Sequence, residues 1–283
     1  KGNNPDMLVM TATPIPRTLA LILYGDLDIS IINELPPGRK PVKTYAVDDS
    51  MRERINNFIR KVVSEGQQVY IVCPLVEESE AIDAKSAVKT AEDIANYFSD
   101  LRVGLIHGKM KQADKEAVMN KFVEGNLDIL VSTTVIEVGV NVPNATVMVI
   151  ENAERFGLAQ LHQLRGRVGR GSSQSYCILY NENKTQVSRE RMKVMEKTND
   201  GFVIAEKDLK LRGPGEFFGT RQHGLPDLKI ANLYKDMDIL KAAQEAALEV
   251  LSNDRYLQKE EHLKLKNKIE EMFLSKLKDV GLN

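Results

Sequence analysis

The chain has 283 residues, of which 28% are charged and 42% are hydrophobic, and its formal net charge is −1. These values are ordinary for a soluble globular protein with one large or two modest domains. The near-neutral balance excludes a globally basic nucleic-acid binder, so any such surface must be a local patch. No apolar run approaches the ~20 residues that a membrane-spanning helix needs. Two cysteines, Cys73 and Cys177, both lie inside apolar runs, and this scarcity suits a reducing cytosol. We therefore expect a cytoplasmic protein with no membrane partner.

The amino end has no signal-peptide pattern, lacks an initiator methionine and enters an apolar run almost at once. This start predicts a piece cut from a longer chain. Residues 7–10 predict a short strand, residues 17–24 a helix and residues 27–32 a second strand. A stiff, proline-rich linker follows over residues 35–41.

A regular alternation of strands and helices begins after this linker. Apolar, β-branched runs predict strands, and apolar residues at helical spacing predict the helices between them. The alternation is typical of βαβ units, so the fold class is α/β, a mostly parallel sheet with helices on both faces. After about residue 182 only helices are predicted, which gives an α-helical C-terminal region. The predicted strands are 42–47, 69–73, 103–106, 127–131, 146–150 and 175–179; the helices are 51–64, 86–98, 111–123, 184–197, 201–211, 236–251 and 262–278.

A cluster of arginines and glycines is the strongest local signal in the chain. Arg165, Arg167 and Arg170 follow a predicted amphipathic helix and are separated by Gly166 and Gly169. Arginine offers a rigid fork of donors that fits phosphate oxygens, and glycine lets the backbone come close to a ligand. A solvated basic helix end, favoured by the helix dipole, would give a similar pattern with one arginine. With three arginines we favour a phosphate site.

A second polar stretch, residues 132–143, follows a predicted buried strand. Ligands of open α/β sheets bind at the carboxyl ends of the strands, where we expect this stretch to lie. Its Ser132, Thr133 and Thr134 hydroxyls could contact phosphates, and Gly139 would let the main chain approach a nucleotide. The same hydroxyls fit a cap of the following turn equally well, and both interpretations stay open.

Together these stretches resemble superfamily 2 helicases. Residues 11–13, 132–143 and 160–170 resemble the third, fifth and sixth helicase motifs. Residues 13–18 and the glycine-rich stretch 212–224 resemble, more closely, the RecG family of bacterial branch-migrating DNA helicases. The transcription-repair coupling factor Mfd shares much of this pattern. The resemblance covers nearly the whole chain and is weakest beyond about residue 233.

The resemblance implies two RecA-like lobes, P-loop NTPase in type, with ATP in the cleft between them. Residues 1–26 would be the end of the first lobe and residues 27–182 the second lobe. Residues 183–235 would form a helical hairpin and a translocation-motif loop, and residues 236–283 the C-terminal helices. The full-length protein would be an ATP-dependent DNA helicase that remodels replication forks and Holliday junctions in recombination and repair.

The resemblance also implies roles at the nucleotide. Arg167 and Arg170 match the arginine-finger positions that reach the γ-phosphate across the cleft, and an arginine finger can contribute ~10³–10⁵ in rate. Gln163 matches a polar position near that phosphate. Gly139 and Asn141 match the cleft edge near the ribose and triphosphate. Many superfamily members carry Asp where this chain has Asn141, so no ionic role is carried over to it.

Further roles implied by the resemblance concern DNA and its coupling to ATP. The residues that match DNA contacts are Thr133, Thr134, His107, Lys109 and Arg17. The residues that match the coupling of the cleft to DNA movement are Thr11, Thr13, Arg212, Arg221 and Gln222.

Two parts of an ATPase are missing from this sequence. It contains neither a GxxxxGK[ST] phosphate loop nor a strand that ends in paired acids for Mg²⁺. In the family these parts belong to the first lobe, so no metal ligand is expected in this chain and Mg²⁺ would be held by that lobe. We therefore expect the chain alone to be inactive in ATP hydrolysis.

The expected partners are ATP and branched or duplex DNA, with single-stranded DNA-binding protein as a further candidate and a monomeric full-length protein. Two alternatives remain open at this point. One is a non-catalytic nucleic-acid-binding module that uses the same residues only for salt-dependent phosphate contacts. The other is the motor lobe of an Mfd-like transcription-repair coupling translocase.

Overall fold

The computed structural model describes residues 38–74, 82–133, 141–212 and 237–280, with a few isolated positions before residue 38. The chain divides into two compact units, Lys1–Arg221 and Gln222–Asn283. The elements predicted over residues 7–10, 17–24 and 27–32, and most of the glycine-rich stretch, lie outside the described residues. The four domain boundaries given above stay a prediction.

The first unit is built on a six-stranded parallel sheet. Its strand order is β1-β6-β5-β2-β4-β3, and every described pairing is parallel. The carboxyl ends of all strands therefore meet at one edge of the sheet, and the amino ends meet at the opposite edge. The strands are β1 Lys43–Val47, β2 Gln68–Val72, β3 Val103–Ile106, β4 Ile129–Ser132, β5 Ala145–Ile150 and β6 Tyr176–Tyr180.

Helices cover both faces of this sheet, which confirms the α/β prediction. Successive side chains of a strand point to opposite faces, so β2 sends Tyr70 and Val72 into one core and Val69 and Ile71 into the other. The helices of this unit are α1 Arg52–Ser64, α2 Ile82–Tyr97, α3 Gln112–Val123, α4 Leu158–Arg165, α5 Gln186–Lys197 and α6 Gly201–Arg212. Side chains of α3, α4, α5 and α6 fill the first core, and side chains of α1 and α2 fill the second.

The main difference in the sheet concerns the start of β4, which was expected at Leu127 and begins at Ile129. The turn that follows α3 extends to Asn126 and leaves Leu127 and Asp128 outside the strand. Gly125 has a left-handed φ of 76°, and the amide of Asn126 bonds back to the Lys121 carbonyl at 2.8 Å. The Leu127 side chain still packs against the core, which explains why its apolar character resembled a strand residue.

The second unit contains α7, Met237–Asn253, and α8, Leu263–Val280, with a short 3-10 turn at Glu260–His262. Asp254 closes the connection between them. Its carboxylate accepts bonds from the Gln258 and Lys259 amides at 2.9 and 2.8 Å and from His262 at 2.9 Å. Throughout the described residues, no helix is long and apolar enough to cross a membrane.

Candidate functional site

The arginine motif forms the end of α4 and the loop that follows it, residues 166–175, which we call the arginine loop. Three leucines, Leu158, Leu161 and Leu164, are fully buried and hold α4 against the sheet. The loop then runs to the start of β6 at the amino edge. At Gly169 the backbone has a φ of 77°, and an added Cβ would lie 3.0 Å from Val42 Cγ2. Glycine is therefore required at this bend.

Arg167 and Arg170 lie close together on this loop, and both are half-buried. Burial lowers the pKa of the Arg170 guanidinium, and the positive charges of Arg167 and Arg39 lower it further. The Nε of Arg170 lies 3.5 Å from the Gly166 carbonyl, at the limit of a hydrogen bond. Within the described ranges Arg170 forms no ion pair. A guanidinium that has no carboxylate beside it and lies near other positive charges attracts an anion, which suits a phosphate.

Tyr70 extends this site from the central strand β2. Burial raises the pKa of its hydroxyl to about 12, although the charges of Arg170 and Arg167 act in the opposite direction. Its ring packs on Phe122, with the centroids 4.9 Å apart. The charges of both arginines are therefore close enough to act on the Tyr70 hydroxyl.

Arg165 corrects the interpretation of three arginines at one phosphate. Only 2% of Arg165 is exposed. Its Nη1 donates to the carbonyls of Met195 and Thr198 at 2.8 and 2.9 Å and lies 3.3 Å from Thr44 Oγ1. Its guanidinium is therefore used inside the protein, where it ties α4 to the end of α5. Burial also lowers the pKa of Arg165.

His162 is half-buried beside Arg165, and its position predicts a dependence of stability on pH. Its Nδ1 lies 3.1 Å from Arg165 Nη2. Burial, and then the Arg165 charge, lower the pKa of His162 to about 4, although Asp200 opposes this. In the unfolded chain a histidine has a pKa of about 6.5, so between these values the unfolded state binds more protons.

We expect the contribution of His162 to the free energy of unfolding to be fully present above about pH 6.5 and to be lost as the pH decreases toward about 4. The measurement is the melting temperature across this range for the wild type and His162→Gln. The variant should show a shallower loss, because it cannot take up this proton on unfolding. Identical slopes for the two proteins would contradict this assignment.

The nucleotide-assigned residues that the structure describes share the amino edge of the sheet. Asn141 is exposed and precedes β5. An added Cβ at Gly171 would lie 2.7 Å from the Pro143 carbonyl, so this segment runs beside the arginine loop. Residues 132–143 were expected at a carboxyl edge, which is wrong for the end of the stretch. The chain crosses from the end of β4 to the start of β5, so Asn141 lies at the opposite edge from Ser132.

The DNA-assigned residues that the structure describes lie at the carboxyl edge. His107 follows β3 and Thr133 follows β4, and the Thr133 amide bonds to the Ile106 carbonyl at 3.1 Å. Thr133 is 2% exposed, and its hydroxyl has no described partner, nor does His107 Nδ1. Lys109 is exposed. Of these three, only Lys109 presents its side chain fully to solvent, and the predicted DNA contacts of the others would need their polar atoms to be uncovered.

The remaining assigned positions cannot be combined into one site. Thr11 is an isolated exposed position, and Gln163 lies half-buried on α4, one turn before Arg167. The roles of both stay predictions. Six assigned residues lie outside the described residues: Thr13, Arg17, Thr134, Gly139, Arg221 and Gln222. For Arg212 the backbone is described but the side chain is not.

Sequence reasoning missed an ion pair at the carboxyl edge. Arg52 donates to both oxygens of Glu151 at 2.5 and 3.0 Å, and its guanidinium lies 3.7 Å from the Tyr180 ring centroid. Burial lowers the pKa of Arg52, but the bonds to Glu151 outweigh it and hold the pKa above its usual value. The pair joins α1 to the ends of β5 and β6. No local pattern could reveal it, because the partners are 99 positions apart.

It also missed Arg39, whose charge acts on Arg170. This arginine stands at the end of the proline-rich linker, in the run Gly38-Arg39-Lys40. A glycine beside an arginine was the available signal, since the same pairing marks the arginine loop.

The parallel sheet with an arginine loop at its amino edge defines the class of the protein, which is the C-terminal lobe of a helicase. Residues 52–172 match the helicase conserved C-terminal domain. Residues 198–280 match the C-terminal part of domain 3 of the ATP-dependent DNA helicase RecG. The chain belongs to the RecG helicase family.

Curated relatives support this assignment over most of the chain. The ATP-dependent DNA helicase RecG of Synechocystis is 55% identical over 94% of this chain, and this match covers 32% of the relative. RecG of Bacillus subtilis is 49% identical over 95% of this chain and 40% of the relative. A solved structure of RecG bound to a three-way DNA junction is 50% identical, with a TM-score of 0.64, over 81% of this chain and 30% of that chain. The chain thus spans about a third to two fifths of the length of these curated relatives.

Proposed function

We propose that this chain is the second motor lobe of an ATP-dependent DNA helicase that remodels replication forks and Holliday junctions in recombination and repair. The observation that carries the proposal is the pairing of Arg167 with Arg170 at the amino edge, where the described residues provide no carboxylate partner for Arg170. Membership of the RecG family supports the same activity. The matches to RecG relatives over most of the chain favour this role over an Mfd-like translocase or a non-catalytic module.

ATP would bind with its terminal phosphate toward Arg167 and Arg170. When bound, the nucleotide supplies the phosphoryl group whose hydrolysis drives movement. The two guanidinium groups would bind and orient that phosphate and stabilise the negative charge that develops on it. Asn141 is two residues before Pro143, which lies beside the arginine loop, and its neutral amide would contact the ribose or the triphosphate. Among the described residues, no group of three or more His, Cys, Asp or Glu side chains could hold a metal ion. We assign Mg²⁺ to acids of a first lobe.

DNA would bind at the carboxyl edge, opposite the nucleotide. Lys109 is an exposed cation there, and His107 and Thr133 follow the ends of two neighbouring strands. A family structure that is bound to a three-way DNA junction supports branched DNA as the substrate. Single-stranded DNA-binding protein and a monomeric state of the whole protein remain part of the proposal without further support from the described residues.

The link between the two edges would run through α4. Arg165 at its end holds the carbonyls of Met195 and Thr198, which lie where α5 turns toward α6. Arg167 lies only two residues beyond Arg165. A shift of Arg167 toward a phosphate would therefore be transmitted through Arg165 to α5 and α6. The proposed coupling residues Arg212, Arg221 and Gln222 follow this helical pair in the sequence.

The chain by itself is expected to hydrolyse ATP at background. It carries the proposed arginine fingers but no GxxxxGK[ST] phosphate loop. Without that loop the nucleotide is not held in the geometry that the reaction needs, so the rate gain from positioning is lost. The test is steady-state ATPase activity of these 283 residues, with and without a three-way DNA junction. The control is the same chain joined to the remainder of a RecG-family helicase, which should show DNA-stimulated turnover. DNA-stimulated turnover by the chain alone would contradict the proposal.

A further inference from the structure

We propose that Arg39 is a third guanidinium of the phosphate site and contacts the terminal phosphate of a bound nucleoside triphosphate. The inference rests on the proposed function and adds a residue to it. No helicase motif identified in the sequence includes Arg39, which lies more than a hundred positions before the arginine loop.

Two hydrogen bonds connect the segment that follows Arg39 to the arginine loop. The Gln174 side-chain amide donates to the Pro41 carbonyl at 2.9 Å, and the Lys43 amide donates to the Ser175 carbonyl at 3.0 Å. An added Cβ at Gly169 would lie 3.9 Å from the Lys40 carbonyl. Lys40, the chain neighbour of Arg39, and Gly169, the chain neighbour of Arg170, are therefore close to each other. Arg39 is held at the same edge as the fingers.

Two of the positive charges at this edge have no carboxylate partner among the described residues. Arg39 is exposed, and across the described residues neither Arg39 nor Arg170 forms an ion pair. Like charges that are held close together cost free energy, and a bound anion removes that cost. Arg52 and Arg165 differ from Arg39 in this respect, since Arg52 donates to Glu151 and Arg165 donates to backbone carbonyls. Arg39 therefore has its donors available for a ligand.

The position of Arg39 favours a nucleotide phosphate over a DNA phosphate. The proposed DNA contacts His107 and Thr133 follow β3 and β4 at the carboxyl edge. Arg39 precedes β1 and therefore lies at the amino edge. Gly38, with a left-handed φ of 81°, turns the chain just before it.

The experiment uses the intact RecG-family protein that carries this chain, with Arg39→Ala and Arg39→Lys compared by calorimetric titration. The ligands are a non-hydrolysable ATP analogue and ADP, and DNA binding is followed with a labelled three-way junction. One charge-assisted hydrogen bond corresponds to about tenfold in affinity. We expect Arg39→Ala to weaken the analogue about tenfold and ADP less than about twofold, with Arg39→Lys between wild type and alanine.

Arg54→Ala is the matched control, because Arg54 is exposed on α1 and its removal changes the net charge equally. It should leave both nucleotide affinities unchanged. Equal losses for the analogue and ADP, unchanged nucleotide binding, or a loss confined to DNA binding would each overturn the role of Arg39. Failure of the proposed function is a separate outcome: there, Arg167→Ala would leave ATP hydrolysis intact. The Arg39 variants are therefore interpreted only where Arg167→Ala abolishes hydrolysis.

Discussion

Arg167→Ala in the intact helicase is expected to reduce DNA-stimulated ATP hydrolysis by about 10³-fold or more while DNA affinity stays within about twofold. The side chain lies at the amino edge beside Arg170, and the proposed DNA contacts lie at the carboxyl edge. Removing it should take away charge that stabilises the transition state without touching the DNA path. Because the interaction strengthens only in the transition state, kcat should fall much more than KM rises.

The measurement is steady-state ATPase activity at saturating junction DNA, with junction affinity determined in parallel. Arg167→Lys separates charge from geometry, since an ammonium cannot reproduce the planar fork of a guanidinium. We expect it to recover only a small part of the lost rate. Arg54→Ala, which removes the same charge from α1, should have wild-type turnover. Near-normal hydrolysis by Arg167→Ala would remove the finger assignment and with it the main support for the motor.

Arg165→Met is expected to lower the free energy of unfolding of the first unit by about 2–4 kcal/mol. Methionine fills much of the volume but leaves the Met195 and Thr198 carbonyls without their donor. It also removes the contact to His162, so the connection between α4 and α5 loses all of its described bonds from this side chain. A loss of this size lowers the melting temperature by roughly 5–15 °C in a unit of this length.

Thermal and urea unfolding measure this effect. Arg54→Ala again provides the comparison and should shift stability by less than about 0.5 kcal/mol, as exposed substitutions do. Arg165→Lys should fall between the two, because one ammonium reaches fewer of the acceptors than a guanidinium. Wild-type stability in Arg165→Met would show that the buried guanidinium contributes nothing net, as can happen when its desolvation cancels its bonds.

Most of the fold of the first unit was accessible from sequence because its signals are local. Strand β2 is apolar at nearly every position, as a strand buried on both faces must be, and α1 places Ile59 and Val62 on one side. The start of β4 differs from the prediction because Leu127 packs against the core from the segment before the strand, and apolarity reports burial without reporting backbone conformation.

The site was only partly accessible, and Arg165 shows why. In sequence it is equivalent to Arg167 and Arg170, since all three alternate with glycine or apolar residues in one motif. Its helical position turns it toward the carbonyls of α5, whereas Arg167 and Arg170 lie in the loop beyond the helix, on either side of the left-handed residue Gly169. Which arginine is used inside the protein depends on where α4 ends and on which carbonyls lie beside that end, and the motif records neither.

The sequence by itself determined that this protein is a parallel α/β lobe of the helicase type with an arginine-rich phosphate motif. Periodicity and motif spacing are properties of neighbouring residues, so they survive without coordinates. Only the tertiary structure decided that Asn141 and the arginine loop share one edge while Thr133 and His107 lie at the other, and that Arg39 joins the former. The reason is that strand order and crossovers bring together residues that are distant in the chain, and no local pattern records which ends will meet.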